Sequence, residues 1–247
     1  RYAGERRRAT AASDDAASAF APLRIATYSG SGALDGLSAA QQTFLEDTLL
    51  PRTVADWAEL LSVRPVDGSL ALDRPCALSY ADEDGCYGTL CSSVNADEYC
   101  GSDADDSYNT LIPDDYFGAT TYCSTCYTDG TCDGCADTAA GAGVADADYV
   151  LFVTAHATAS CDGGTLAYAG SCYEDQYDRA VAGYVNFCPD ALADAVDATW
   201  AEQHATAVHE VAHALGFSSG HLACVRETLP RHHLSRENIS RASALPL

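Results

Sequence analysis

His209 and His213 stand four residues apart, with Glu210 directly beside the first of them. On an α-helix that spacing sets two side chains about 40° apart around the axis and roughly 6 Å along it, so both imidazoles reach one metal ion. Neutral imidazole suits Zn²⁺, and two or three protein ligands with one open position make a catalytic rather than a structural site. Glu210 is placed to take a proton from water on that metal. The candidate roles are His209 and His213 as ligands of one zinc ion, with Glu210 as general base. An amphipathic helix carrying two surface histidines is the plain alternative.

These roles require a helix, and the flanks predict one. Thr199 followed by Glu202 has the form of a capping box, in which each side chain satisfies the other residue's orphan backbone donor. From Trp200 the run is rich in Ala, and Val208, Val211 and Leu215 are spaced to bury one side. Gly216 follows where a left-handed C-terminal cap would end the helix. The spacing is that of the H-E-x-x-H motif of zinc proteases. The segment from His209 to Gly216 continues as H-E-x-x-H-x-x-G, which resembles the metzincin clan. That clan places a third histidine three residues beyond the Gly, where this chain has Ser219.

Charge and composition exclude several classes. The chain has 247 residues, enough for one large domain or two small ones. It carries 36 acidic against 13 basic residues, a formal charge of −23, and every basic residue is Arg. Binding to nucleic acid or to an anionic membrane surface needs clustered positive charge, so neither is expected. No apolar run approaches the ~18 residues needed to span a bilayer. The sequence begins with Arg and contains no Met, and it reads as a piece of a longer chain.

Residues 1–21 lack periodicity and read as a disordered lead-in containing Arg6-Arg7-Arg8. Leu23 to Tyr28 alternates and suits a first strand. Ser38 with Gln41 forms a capping box that opens a helix through Phe44 and Leu49, expected to be interrupted at Pro51. A second helical pattern follows with Val54, Trp57, Leu60 and Leu61, and it is assigned to core packing. Residues 63–72 read as a short strand and turn.

Residues 76–135 form an acidic, cysteine-rich insertion without helical period. Only five residues separate Cys123-x-x-Cys126 from Cys132-x-x-Cys135, too few for the usual zinc ribbon, and disulfides in an extracellular setting are the expected state. The acidic groups Asp82-Glu83-Asp84 and Asp103, Asp105 and Asp106 complete no calcium loop and read as solvated. Further on, residues 145–154 carry a continuous apolar run that suits a buried strand. Residues 164–169 suit a short strand bounded by Gly, and residues 182–189 a strand stopped by Pro189. Strands and helices mix without a regular βαβ repeat, so the fold class is α+β.

Four stretches in one order carry a more specific likeness. They are Tyr149-Val150-Leu151-Phe152-Val153-Thr154, then Thr165 to Cys172, then Asp175 to Arg179 with Ala182 to Pro189, and finally His209 to Ser218. Together they resemble the leishmanolysin family of surface metalloproteases, clearly over residues 145–222 and more loosely back to Leu23. The resemblance implies a zincin-like (metzincin) catalytic domain with a mixed sheet, an active-site helix and a disulfide-bonded insertion. It implies a zinc endopeptidase acting on proteins or peptides, located extracellularly or at the cell surface through the secretory pathway. A role in cell adhesion and surface proteolysis goes with it, as does membrane anchoring through sequence not present in this chain. His209 and His213 correspond to zinc ligands and Glu210 to the base.

In that family a long insertion precedes the third ligand and the Met-turn, so the resemblance places both beyond this chain. His221, five residues past Gly216, is the nearest candidate by residue type, with His232 and His233 after it. His156 is weaker, and His204 faces about 140° round the helix from His209. By analogy with metzincins, Gly164, Thr165, Leu166, Ala167 and Tyr168 form an edge strand that pairs with substrate backbone, with an ordinary core strand as the alternative. The expected organisation is a lead-in at 1–21, a catalytic portion at 22–222 and an atypical basic tail at 223–247. Residues 226–241 hold four Arg, against five in positions 9–225. A non-catalytic secreted binding or adhesion module is the competing function.

Overall fold

The apolar run at residues 149–154 becomes the centre of a sheet that is covered on both faces. The computed structural model of the chain describes residues 20–80, 90–102, 108–127, 131–175 and 179–218. The elements are, in order, β1 (Ala21–Pro22), β2 (Ile25–Tyr28), α1 (Ala39–Phe44), α2 (Leu50–Leu60), β3 (Ser62–Val63), β4 (Cys76–Tyr80) and β5 (Leu90–Val94). They continue as β6 (Tyr99–Cys100), β7 (Thr110–Leu111), β8 (Thr121–Cys126), β9 (Cys132–Asp137), β10 (Tyr149–Thr154), β11 (Ala167–Glu174), β12 (Ala180–Phe187) and α3 (Trp200–Ala214).

The main sheet has the order β11-β12-β10-β2, with β10 parallel to both neighbours and β11 antiparallel at one edge. Every residue of β10 is buried. Tyr149, Leu151 and Val153 point to one face, among Leu45, Leu49, Trp57, Ala207, Val211 and Ala214 of the helices. Val150 and Phe152 point to the other, among Leu70, Leu72, Ile112 and Phe117. A strand covered on both faces has no polar side to show, hence the unbroken apolar run. The mixed sheet, the helices and the cysteine-rich layer make this the α+β, metzincin-like fold that the sequence led us to expect.

The cysteine-rich segment forms a sheet of its own, β4-β5-β8-β9, with β6 and β7 paired separately. Among the described residues, five disulfides join Cys76–Cys91, Cys100–Cys172, Cys123–Cys135, Cys126–Cys132 and Cys161–Cys188. Cys100–Cys172 ties the insertion to β11 across 72 residues, a closure that raises the free energy of the unfolded chain by about 4 kcal/mol in the chain-entropy picture. Cys86 and Cys224 lie outside the described residues.

Several local expectations hold and others are corrected. Ser38 and Gln41 form the reciprocal capping box, and Gln41 Nε2 also donates to the carbonyls of Pro189 and Leu192. The helix is not interrupted at Pro51. A π-helical turn at Leu45–Leu49 widens the spiral, and Pro51 then sits in the first turn of α2. There its missing N–H costs nothing, and the re-registered turn removes the clash its ring would make four residues back. The strand expected from Leu23 is β2, which begins at Ile25; the Arg24 before it is held by Asp148, its backbone N–H, Nε and Nη2 all donating to that carboxylate.

Candidate metal centre

α3 lies against the helix-side face of the sheet, burying Gln203, Ala207, Val211 and Ala214. Val208 and Leu215, expected in that stripe, are only partly buried. Its start also differs from expectation. Thr199 has φ −89° and ψ −4°, and its hydroxyl makes no cap bond to the helix. Instead Thr199 N–H and Oγ1 both donate to Asp197 Oδ1, at 2.7 and 2.6 Å. A capping box needs the cap residue extended, so the Thr199–Glu202 pair cannot close here. Gln203 does the anchoring that the sequence did not reveal, donating from Nε2 to the Ala191 carbonyl at 2.8 Å.

The end of the helix follows the predicted stop. Gly216 has φ +90°, its N–H bonds to the His213 carbonyl, and the Phe217 N–H bonds to the Ala212 carbonyl. This pair of bonds is a Schellman motif, which needs a left-handed residue at the Gly position. Tyr149 Oη donates to the Ala214 carbonyl at 2.5 Å, fastening the last turn to the central strand.

His209 and His213 lie about 160° round the helix from Val211, on the side away from the core. Their Nε2 atoms are 3.1 Å apart and their rings are nearly perpendicular, at 85°. His213 Nδ1 lies 3.1 Å from the Phe217 carbonyl oxygen, which can only accept a hydrogen bond. The proton of the neutral ring is therefore on Nδ1, leaving the Nε2 lone pair aimed at His209. Two such nitrogens at this distance need a proton or a cation between them. Zn–N bonds of about 2.0–2.1 Å can bridge a gap of that size, so the pair fits a zinc ion. Glu210 is half-buried between this face and the core. Burial lifts its carboxyl above the ordinary value, opposed by the neighbouring charges of His213 and His209.

The other candidates separate from this pair. His204 stacks on Trp200 and approaches the Asp56 carboxylate to 2.9 Å, facing elsewhere as expected. The His156 ring lies beside Tyr108, and its backbone is held by Asn186. His221, His232 and His233 lie outside the described residues, as does Ser219. Among the described residues no third His, Cys, Asp or Glu brings a ligand atom to the pair. The Sγ atoms of Cys123, Cys126 and Cys132 do cluster within 4.8 Å of one another, but each of these residues is in a disulfide.

β11 is the antiparallel edge strand, and α3 packs across it. It begins at Ala167 rather than Gly164 and runs to Glu174. Gly163 and Gly164 have φ of +78° and +90°, so they make the turn into the strand, and Thr165 and Leu166 follow them. Of the residues expected to meet substrate, Ala167 and Tyr168 are in the edge strand itself.

The family model described as Leishmanolysin matches residues 119–238, from the cysteine-rich sheet through α3. A "Leishmanolysin-like peptidase" of Caenorhabditis elegans is 34% identical over 230 residues, 92% of this chain and 33% of that protein. The chain is leishmanolysin-like. The Drosophila melanogaster protein of the same description is 30% identical over 189 residues, 74% of this chain and 26% of its own length. A "Ciliated left-right organizer metallopeptidase" of Xenopus laevis is 39% identical over 83 residues, 32% of this chain and 11% of that protein. This leishmanolysin-like chain thus spans a third or less of the length of these curated relatives. The family-model match covers the stretches quoted for the resemblance.

Proposed function

We propose that this chain carries the catalytic helix of a zinc endopeptidase acting on proteins or peptides. The observation that supports the reading is the approach of His209 Nε2 and His213 Nε2 to 3.1 Å, with Glu210 beside them. When bound, zinc supplies Lewis acidity that makes water nucleophilic near neutral pH and polarises a carbonyl. His209 and His213 hold the ion, and the Phe217 carbonyl keeps the His213 proton on Nδ1 so that Nε2 is free to ligate. Glu210 accepts the proton of the attacking water and delivers it to the leaving amine nitrogen. The outer edge of β11 binds substrate as an added antiparallel strand, through backbone hydrogen bonds.

The setting we propose is the secretory pathway and the cell surface, where five disulfides are stable and where surface proteolysis and adhesion take place. No helix among the described residues is long and apolar enough to cross a membrane, so we assign surface attachment to other residues. The deciding experiment uses the full-length parent protein on casein, with and without a strong chelator. Cleavage should stop on chelation and return with added zinc. Cleavage that continues unchanged in chelator would overturn the metalloprotease reading.

A further inference from the structure

The aromatic pair Trp57 and Phe217 connects α2 to the end of α3. Trp57 is almost fully buried, and its Nε1–H donates to the Val208 carbonyl at 3.2 Å, the peptide that immediately precedes His209. Its ring also stacks on Phe217, with centroids 5.9 Å apart and planes within 20°. Phe217 is 47% exposed, so its ring has little else to hold it in place. The Phe217 carbonyl is the acceptor that sets the His213 proton on Nδ1. One indole therefore touches the chain just before the first histidine and again at the residue that orients the second.

We infer that Trp57 and Phe217 are positioning residues for the metal-binding pair, the stacked rings holding the Phe217 carbonyl where it fixes the tautomer and aim of His213. The inference rests on the proposed zinc site for its consequence but not for its geometry. The Schellman bonds place the Phe217 amide, and the Ser218 N–H bonds back to the Gly216 carbonyl at 2.8 Å, closing a tight turn around Phe217. A turn of that size at the surface is marginal by itself. The stack anchors it to a helix packed in the core, which converts a frayed helix end into a fixed hydrogen-bond acceptor. Partners that orient metal-binding histidines in this way typically matter by 10–100-fold in metal affinity.

The test uses Phe217→Ala and Phe217→Tyr in the full chain with its disulfides formed. Both keep the backbone carbonyl and, because the ring is half-exposed, both should keep the thermal midpoint. Long-range proton–nitrogen spectra of the metal-free protein report the His213 tautomer, and competition with a chromophoric chelator reports zinc affinity. Phe217→Ala should shift His213 away from the Nδ1–H form and weaken zinc by about 10–100-fold. Phe217→Tyr, which retains the stack, should behave as the parent in both. Trp57→Phe, which keeps a stacking ring but loses the bond to Val208, should retain the His213 tautomer. A Phe217→Ala protein with parental tautomer and parental zinc affinity would overturn the inference, as would a Phe217→Tyr protein that fails like Phe217→Ala. Because the tautomer is read without metal, failure of the zinc reading itself shows separately, as a parent chain that binds no zinc.

Discussion

The Tyr149 hydroxyl reaches the Ala214 carbonyl across 65 positions of sequence, joining the first residue of the central strand to the last residue of the candidate catalytic helix. Burial pushes the phenol's pKa far up, so it remains a donor at any working pH. Gly183 makes room for the contact. A methyl carbon there would meet the Tyr149 hydroxyl and stand 2.6 and 2.8 Å from the carbonyl oxygens of Gly170 and Ala214.

Tyr149→Phe should therefore destabilise the fold by about 1–3 kcal/mol, the usual cost of leaving a buried carbonyl unsatisfied. Gly183→Ala should cost a similar amount or more, because two of its clashes are with backbone. In the double variant the hydroxyl clash is relieved and the carbonyl clashes remain, so the two costs should combine less than additively. Urea unfolding of the four proteins measures this. Strict additivity would show that the two residues act independently.

Glu210→Gln separates chemistry from structure. The amide keeps the size of the carboxylate but cannot accept a proton, while His209 and His213 are untouched. The full-length variant should bind zinc as the parent does and lose at least ~10²-fold in peptide hydrolysis. Parental turnover at equal zinc occupancy would remove Glu210 from the role of base.

Asp148 gives the fold a defined acid limit. Burial alone would raise its carboxyl, but hydrogen bonds from the Arg24 side chain and from the Val66 and Arg24 backbones, with the Arg24 charge, hold it below the usual range. A group with a depressed folded-state pKa contributes stability above its unfolded value of about 3.9 and loses it as pH falls through the folded value. Thermal midpoints should show no loss from this group between pH 7 and 5, with the loss setting in below about pH 4. Asp148→Ala should remove that component and leave two backbone donors unpaired, at about 1–3 kcal/mol each. An unchanged acid profile in the variant would assign the limit to other carboxylates.

The cysteine pairing can be checked directly. Non-reducing peptide mapping of the secreted protein should recover Cys123 with Cys135 and Cys126 with Cys132, each blocked to alkylation. Four free thiols with bound zinc would turn this cluster into a metal site instead.

Sequence alone determined what depends on neighbours along the chain. A spacing of four puts His209 and His213 on one side of any α-helix, and Gly216 ends that helix because only a residue tolerant of positive φ fits there. The unbroken run of β10 announced burial on both faces, and the abundance of cysteines announced disulfides. Tertiary structure decided whatever joins distant positions. It carried the first helix past Pro51 through a π turn and shifted the start of the edge strand to Ala167. It also gave Trp57, which reads from its helical spacing as plain core, a hydrogen bond 151 positions away at Val208. Helical periodicity places a side chain around its own axis. Which carbonyl that side chain meets depends on how two helices pack, and that is a property of the assembled core rather than of any one segment.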